Sequence, residues 1–289
     1  NLTVFQTTSA DQRIERIRGR EIVITNKVVI DREVMDACPF LKLICVAATG
    51  MNNVDLDYAS EKGIMVRNVA GYSTESVVQH TFSMLFYLMG SLRYYDDFVK
   101  QGTYAAGTLF THHGRSFHEL AGKQYGIIGM GTIGRRVAVV ASAFGASVRY
   151  FSTTQKNLDT GYASVSLEEL LTGSDVISIH CPLTPSTQNL IGYEQLCRMK
   201  NGAFLINAGR GGIVNEAGLA RALEENRIGG AGLDVLEKEP PAADNALLQI
   251  SHGEKLFITP HIAWASCESR ERLMAGIIQN IAGYLKALP

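Results

Sequence analysis

The sequence has no surplus of either charge. Its 289 residues carry 27 Lys and Arg against 28 Asp and Glu, a formal net charge of −1 at pH 7. A dedicated nucleic-acid-binding protein would show a basic excess, so nucleic acid is not an expected partner. No run approaches the ~18 apolar residues that a membrane helix needs. The most apolar stretch, Val77–Met89, is interrupted by Gln79, His80, Thr81 and Ser83, so no membrane partner is expected either. No secretory signal pattern is visible from Asn1 onward. The five cysteines, Cys38, Cys45, Cys181, Cys197 and Cys267, show no paired spacing and no C-x-x-C. They read as reduced thiols of a cytoplasmic protein. His112-His113 lacks an accompanying Cys or carboxylate cluster at ligand spacing, so no metal is expected. There is no internal repeat and no low-complexity tract.

Apolar residues make up 46% of the chain, enough for a real core, which excludes wholesale disorder. The length suggests two domains rather than one. Short apolar segments alternate with helical patterns from the start. Strands are expected at Leu2–Phe5, Glu21–Thr25, Leu41–Ala47 and Ile64–Asn68, with helices at Asp31–Ala37 and Leu56–Lys62 between them. Ser9-x-x-Gln12 and Ser166-x-x-Glu169 read as capping boxes. A long helical pattern runs from Thr74 to about Lys100, and Thr103–His118 has no period and reads as a loop. A second series of strands follows at Tyr125–Ile128, Ser147–Phe151, Val176–His180, Ala203–Asn207, Gly230–Val235 and Phe257–Thr259. Helices lie between them, one at Glu216–Glu225, and a last helix spans Glu268–Lys286. This βαβ rhythm predicts two parallel sheets covered by helices, the second the larger.

Three signals carry chemistry. Gly129-Met130-Gly131-Thr132-Ile133-Gly134 follows an apolar strand directly and opens a helix, the context that a dinucleotide-binding turn requires. Gly129 permits the tight turn, Gly131 lets the backbone approach a pyrophosphate, and Gly134 allows close helix–strand packing. The N–H groups of Thr132 and Ile133 at the helix start would bind the phosphates. Ser152 then ends the next strand about 20 residues on, where an acid normally accepts both adenosine ribose hydroxyls. No carboxylate is there, and Thr153, Thr154 and Lys156 could contact a 2′-phosphate, so both NAD and NADP stand as candidate cofactors.

The third signal is that Arg210, Glu239 and His261 each lie just past the carboxyl end of an expected strand, the edge at which open α/β sheets bind ligands. A guanidinium can hold a carboxylate through paired N–H bonds, an imidazolium can deliver a proton, and a carboxylate beside the imidazole favours its charged form and fixes its ring. The three types suit reduction of a small 2-keto acid. His180-Cys181-Pro182 ends a strand at the same edge and is expected to line the cofactor cleft. His80, inside an apolar helix, reads as a packed structural histidine.

Taken together, Gly129–Gly134, Asn207-Ala-Gly-Arg210-Gly-Gly, Asp234-Val-Leu-Glu-Lys-Glu239-Pro and Pro260-His261-Ile-Ala-Trp264-Ala resemble the D-isomer-specific 2-hydroxyacid dehydrogenases over essentially the whole chain. Gly71–Phe82 and Pro260–Ser266 are most similar to the glycerate dehydrogenase (hydroxypyruvate reductase) branch. The resemblance implies two Rossmann-like, doubly wound parallel-sheet domains around a cleft. Residues 1–72 and 263–289 would form the substrate-binding domain and residues 73–262 the dinucleotide-binding domain, with a strand and helix preceding Leu2–Phe5. It implies Arg210, Glu239 and His261 as the catalytic trio. Cofactor contacts would come from Thr132, Ile133, Ser152, Ala208, Gly209, Arg210, Asp234, His261 and Ala263. The substrate would meet Arg210, His261, Trp264 and the turn at Thr49 and Gly50. It also implies a homodimer, to which an apolar face of the long helix (Val77, Leu85, Leu88, Leu92 or the adjoining Phe82, Phe86, Met89) would contribute. The rival readings are a nucleotide-sensing corepressor-like binding protein on the same fold, and a phosphite or formate dehydrogenase.

Overall fold

All strand pairing is parallel, in two separate sheets. The structure, a computed structural model, describes residues 2–154 and 161–287. The chain divides into two compact units, Asn1–Ser73 with Ala265–Pro289, and Thr74–Trp264.

In the first unit, α1 (Arg13–Ile17), β1 (Ile22–Thr25), α2 (Arg32–Ala37), β2 (Leu43–Val46), α3 (Leu56–Glu61) and β3 (Met65–Asn68) follow one another. The sheet order is β1-β2-β3. The central strand β2 is wholly apolar and fully buried, as a strand covered on both faces must be. Asp31 and Asp55 start α2 and α3 by accepting hydrogen bonds from Val34 N (3.1 Å) and Tyr58 N (3.0 Å). The last helix, Cys267–Lys286, belongs to this unit and is tied to the sheet through Asn280 Nδ2 to Asn68 O (3.0 Å) and Tyr284 OH to Glu21 Oε1 (2.7 Å). Residues 2–5 are not the expected strand: Leu2 is 80% and Val4 70% exposed. A short apolar run makes a strand only when a neighbour offers a ladder, and among the described residues none does.

The second unit runs α4 (Thr74–Met89), α5 (Leu92–Lys100), β4 (Gln124–Ile128), α6 (Thr132–Ala143), β5 (Ser147–Phe151), β6 (Ala163–Ser164), α7 (Leu167–Gly173), β7 (Val176–Ile179), α8 (Tyr193–Arg198), β8 (Phe204–Asn207), α9 (Glu216–Glu224), β9 (Gly230–Leu233) and β10 (Leu256–Ile258); the last helix of the chain is α10. The sheet order is β10-β9-β8-β7-β4-β5-β6. The chain therefore winds outward from β4 to β6, returns to lay β7 on the other side of β4, and winds outward again. This is the doubly wound dinucleotide-binding order with one strand added, and its switch point lies between β4 and β7. One core packs beneath Ile128, Ile177 and Ile179, the other above Tyr125, Ile127 and Val176, following the alternation of side chains along each strand.

The helical pattern from Thr74 to Lys100 is two helices, not one. Gly90, a poor helix former, and Ser91, in the left-handed region at φ 49°, separate α4 from α5. Both apolar faces of α4 are used inside its own unit: Val77, Phe82, Leu85, Leu88 and Met89 are all buried, and Phe86 packs against the same core. Further on, Leu92, Val99, Leu109, Phe110 and Phe117 are exposed apolar side chains, with Phe110 90% exposed. Of the expected face, the α4 residues Val77, Leu85 and Leu88 are buried, while Leu92 on α5 is exposed.

Candidate active site

The glycine turn after β4 is built by three different constraints. Gly129 sits at φ 95°, and a β-carbon there would lie 2.7 Å from Cys181 N, so β4 and β7 bring their carboxyl ends together at this point. A β-carbon on Gly134 would collide with the Gly129 carbonyl oxygen. Gly131, the N-cap of α6, faces open space: nothing lies within 4 Å of the position its β-carbon would take, and no side chain caps the helix. The first N–H groups of α6, at Thr132 and Ile133, are therefore available to an anion. Gly134→Ala is expected to lower the melting temperature, since backbone overpacking typically costs about 1–3 kcal/mol. Gly131→Ala should leave it unchanged. Differential scanning calorimetry of the two variants checks both expectations.

On the β7 side, Cys181 is buried and its thiol is pushed up to about 11 by desolvation, which leaves it unreactive. Burial pushes His180 down to about 3, so its imidazole is neutral near pH 7. His180 Nε2 meets Ser178 Oγ at 2.9 Å, while the buried Nδ1 has no hydrogen-bond partner among the described residues. Pro182 is exposed beside it. At the end of β5, Ser152 is only 8% exposed, Thr153 is half-buried and Thr154 exposed. Lys156 lies outside the described residues.

The loops after β8, β9 and β10 interlock. Buried Asn207 holds the first, accepting from Gly209 N at 3.0 Å and donating to Arg210 O at 2.9 Å. Ala208 and Gly209 are half-buried in it. Arg210 itself is exposed, donates to Gly209 O at 2.8 Å and makes no ion pair with any described carboxylate. A β-carbon on Gly211 would run into the Leu236 carbonyl, so this glycine lets the Arg210 loop lie on the Glu239 loop. Glu239 Oε1 accepts from Leu236 N at 3.0 Å, and Oε2 lies 2.6 Å from His261 Nδ1. A carboxylate only accepts, so Nδ1 carries the proton and Nε2 is the nitrogen left for chemistry. The pair is open to solvent, with side-chain exposures of 30% for His261 and 37% for Glu239.

His261 has φ 57°, a left-handed conformation that persists in a non-glycine residue only when its surroundings over-determine it. Asp234 supplies that. Its carboxylate, 1% exposed, accepts from Thr259 Oγ1 (2.7 Å), Ile262 N (2.8 Å) and Ala263 N (2.9 Å), and its carbonyl accepts from His261 N (2.9 Å). A charge buried this deeply is tolerated because three donors replace its water. Trp264, half-buried, follows this turn directly.

Thr49 and Gly50 belong to the other unit, in the turn after β2. Asn68 Nδ2 holds that turn at Thr49 O (2.6 Å). Among the described residues the N–H groups of Thr49 and Gly50 make no hydrogen bond, which leaves them available to an acceptor. Sequence reading did not find Asn68, Asn207, Gly211 as a spacer, or Thr259 as a ligand of Asp234. Asn68, Gly211 and Thr259 meet partners remote in sequence, and such contacts leave no periodic signal; Asn207 holds its own loop with its side chain, two and three residues on, a turn contact without a period.

The strand order and the glycine turn at its switch point define a dinucleotide-binding unit. Comparison with known proteins agrees: residues 82–263 match the family model described as the D-isomer specific 2-hydroxyacid dehydrogenase, NAD binding domain. A glycerate dehydrogenase of Methylorubrum extorquens is 38% identical over 98% of this chain and 88% of its own. A hydroxypyruvate reductase of Blautia hydrogenotrophica is also 38% identical, over 98% of this chain and 87% of its own. Among solved structures, a D-lactate dehydrogenase from Aquifex aeolicus complexed with NAD and lactic acid superposes with a TM-score of 0.83 at 33% identity, covering 94% of this chain and 85% of that one. The chain belongs to the D-isomer-specific 2-hydroxyacid dehydrogenase family. It is a nicotinamide-dependent oxidoreductase of small 2-hydroxy and 2-keto acids. The residues present fit such a cofactor: the uncapped start of α6, the bare face of Gly131 and the orphaned Nδ1 of His180 stand at the switch point.

Proposed function

We propose that the protein interconverts hydroxypyruvate or glyoxylate and the corresponding 2-hydroxy acid, with Arg210, Glu239 and His261 as its catalytic groups. The observation that carries the assignment is the His261–Glu239 pair at 2.6 Å, on a loop against which Gly211 packs the loop of Arg210, an arginine that pairs with no described carboxylate. Held by the N–H groups of Thr132 and Ile133 at the start of α6, a reduced nicotinamide dinucleotide would supply the hydride for the keto carbon. Arg210 holds the substrate carboxylate and polarises the adjoining carbonyl. His261 donates its Nε2 proton to the carbonyl oxygen, which completes the alcohol, and Glu239 keeps the ring turned through its hydrogen bond to Nδ1. In the reverse direction Nε2 takes the proton back. Thr49, Gly50 and Trp264 are the further substrate residues of this reading. The unit Thr74–Trp264 carries the cofactor and the other unit the substrate side. Oxidation of NADH and NADPH with hydroxypyruvate, glyoxylate, pyruvate and 2-ketoisocaproate tests the assignment. Turnover on the first two is expected, and no oxidation with any of the four would overturn it.

Cofactor choice should be loose. Ser152 repels no 2′-phosphate, yet it is nearly buried and offers little to one. A single surface lysine contact is worth about 1 kcal/mol, less than a tenfold preference, and Lys156 is the one lysine next in sequence. The kcat/KM values for the two cofactors should therefore fall within roughly a hundredfold of one another. Ser152→Asp should move the ratio toward NAD. A strict preference unchanged by this substitution would mean that another residue reads the ribose.

We further propose a cytoplasmic homodimer. All five cysteines are free thiols, and no helix among the described residues is long and apolar enough to cross a membrane. The apolar side chains on α5 and the 103–118 loop form a patch of the kind that marks an association surface. Light scattering at micromolar concentration should give the mass of two chains, and Phe110→Glu should give one.

A further inference from the structure

We propose that His80 on α4 is a positioning residue for the reaction, acting through Thr259 and Asp234 to hold the turn that presents His261. The proposal rests on the reading of His261 as the acid. His80 Nε2 lies 2.9 Å from Thr259 Oγ1 and 3.5 Å from Asp234 Oδ1. Thr259 has a single hydroxyl proton, and the buried carboxylate of Asp234, 2.7 Å away, can only accept it. The threonine oxygen must therefore accept from His80, which fixes the imidazole with its proton on Nε2. The three groups form a one-way chain of donors, from His80 to Thr259 to Asp234.

Asp234 is the acceptor on which the turn hangs. Its carboxylate takes the N–H groups of Ile262 and Ala263, and its carbonyl takes the N–H of His261. A carboxylate held at one oxygen by a hydroxyl whose own orientation is fixed cannot rotate without losing these bonds. Ser76, one helical turn before His80, donates from Oγ to Ala263 O at 2.6 Å. Two residues at i and i+4 on the buried helix α4 thus grip both ends of the turn, at Thr259 and at Ala263. The left-handed backbone of His261 lies between these grips. A histidine that merely filled core space would not have its ring nitrogen committed to this turn, 179 residues away in the chain.

The test uses His80→Ala, His80→Gln, Thr259→Val and the His80→Ala/Thr259→Val double variant of the full chain. Turnover with hydroxypyruvate, KM for the keto acid, melting temperature and tryptophan emission are read for each. Trp264 is the single tryptophan and adjoins the turn, so its emission carries no signal from another tryptophan and responds to displacement of the turn. His80→Ala is expected to lower kcat at least roughly tenfold, the scale of a small misplacement of a reacting group, with KM changed far less. Its Trp264 emission should shift. His80→Gln keeps an N–H donor and should recover most of the lost turnover. The double variant should be no slower than the worse single one, because both break the same chain. The proposal is overturned if His80→Ala turns over within twofold of the parent, if Trp264 emission is unchanged, if Gln rescues nothing, or if the two losses multiply. Should His261→Ala itself retain full turnover, the reading of His261 fails. The Trp264 emission of the His80 variants would still decide whether His80 holds the turn.

Discussion

His261→Asn is expected to lower turnover in keto-acid reduction by ~10²- to 10⁴-fold, the range lost with a general acid. Asparagine is chosen because, like histidine, it tolerates the left-handed backbone that His261 adopts at φ 57°. The turn then keeps its hydrogen bonds to Asp234 while the proton donor is gone. KM for the keto acid should change little, since on the proposed reading Arg210 carries its carboxylate. Glu239→Gln should cost less, about tenfold, because an amide oxygen can still accept from Nδ1 but supplies no charge. Steady-state kinetics with a thermal melt as control decide the matter. Turnover of the Asn variant within threefold of the parent would remove His261 from the chemistry.

The second large effect is expected at Arg210. Two charge-assisted hydrogen bonds to a carboxylate, each worth about 1.5–3 kcal/mol, disappear in Arg210→Ala, so kcat/KM should fall by ~10²-fold or more. Stability should not fall with it. The guanidinium is exposed and pairs with no described carboxylate, and surface substitutions of that kind stay within about 0.5 kcal/mol. A large kinetic loss at an unchanged melting temperature separates a substrate anchor from a structural cation. Arg210→Lys keeps the charge but not the fork, so it should recover only part of the loss. If alanine melted several degrees lower with proportionate activity, the arginine would be serving the fold.

Much of the site could be read from local sequence because its chemistry is encoded locally. A glycine triplet between an apolar strand and a helix, and three functional residues each just past a strand, need only short-range spacing to be recognised. The parallel character of both sheets followed from the same alternation of strands and helices. Local pattern misled where an element depended on a partner. Leu2–Phe5 has a strand's composition but no ladder to join, and the helical period across Gly90-Ser91 continues although the backbone does not.

The sequence by itself therefore determined which turn has the form that takes a dinucleotide, and which arginine, carboxylate and imidazole follow neighbouring strands of the sheet. Only the tertiary structure decided how those groups are held. Gly211 beneath Leu236, Asp234 beneath the His261 turn, and His80 behind Thr259 join residues whose separations follow no helical or strand period. Such contacts are set by the packing of α4 and the loops against one sheet edge. Hydrogen-bond partners chosen by packing leave no trace in composition or spacing.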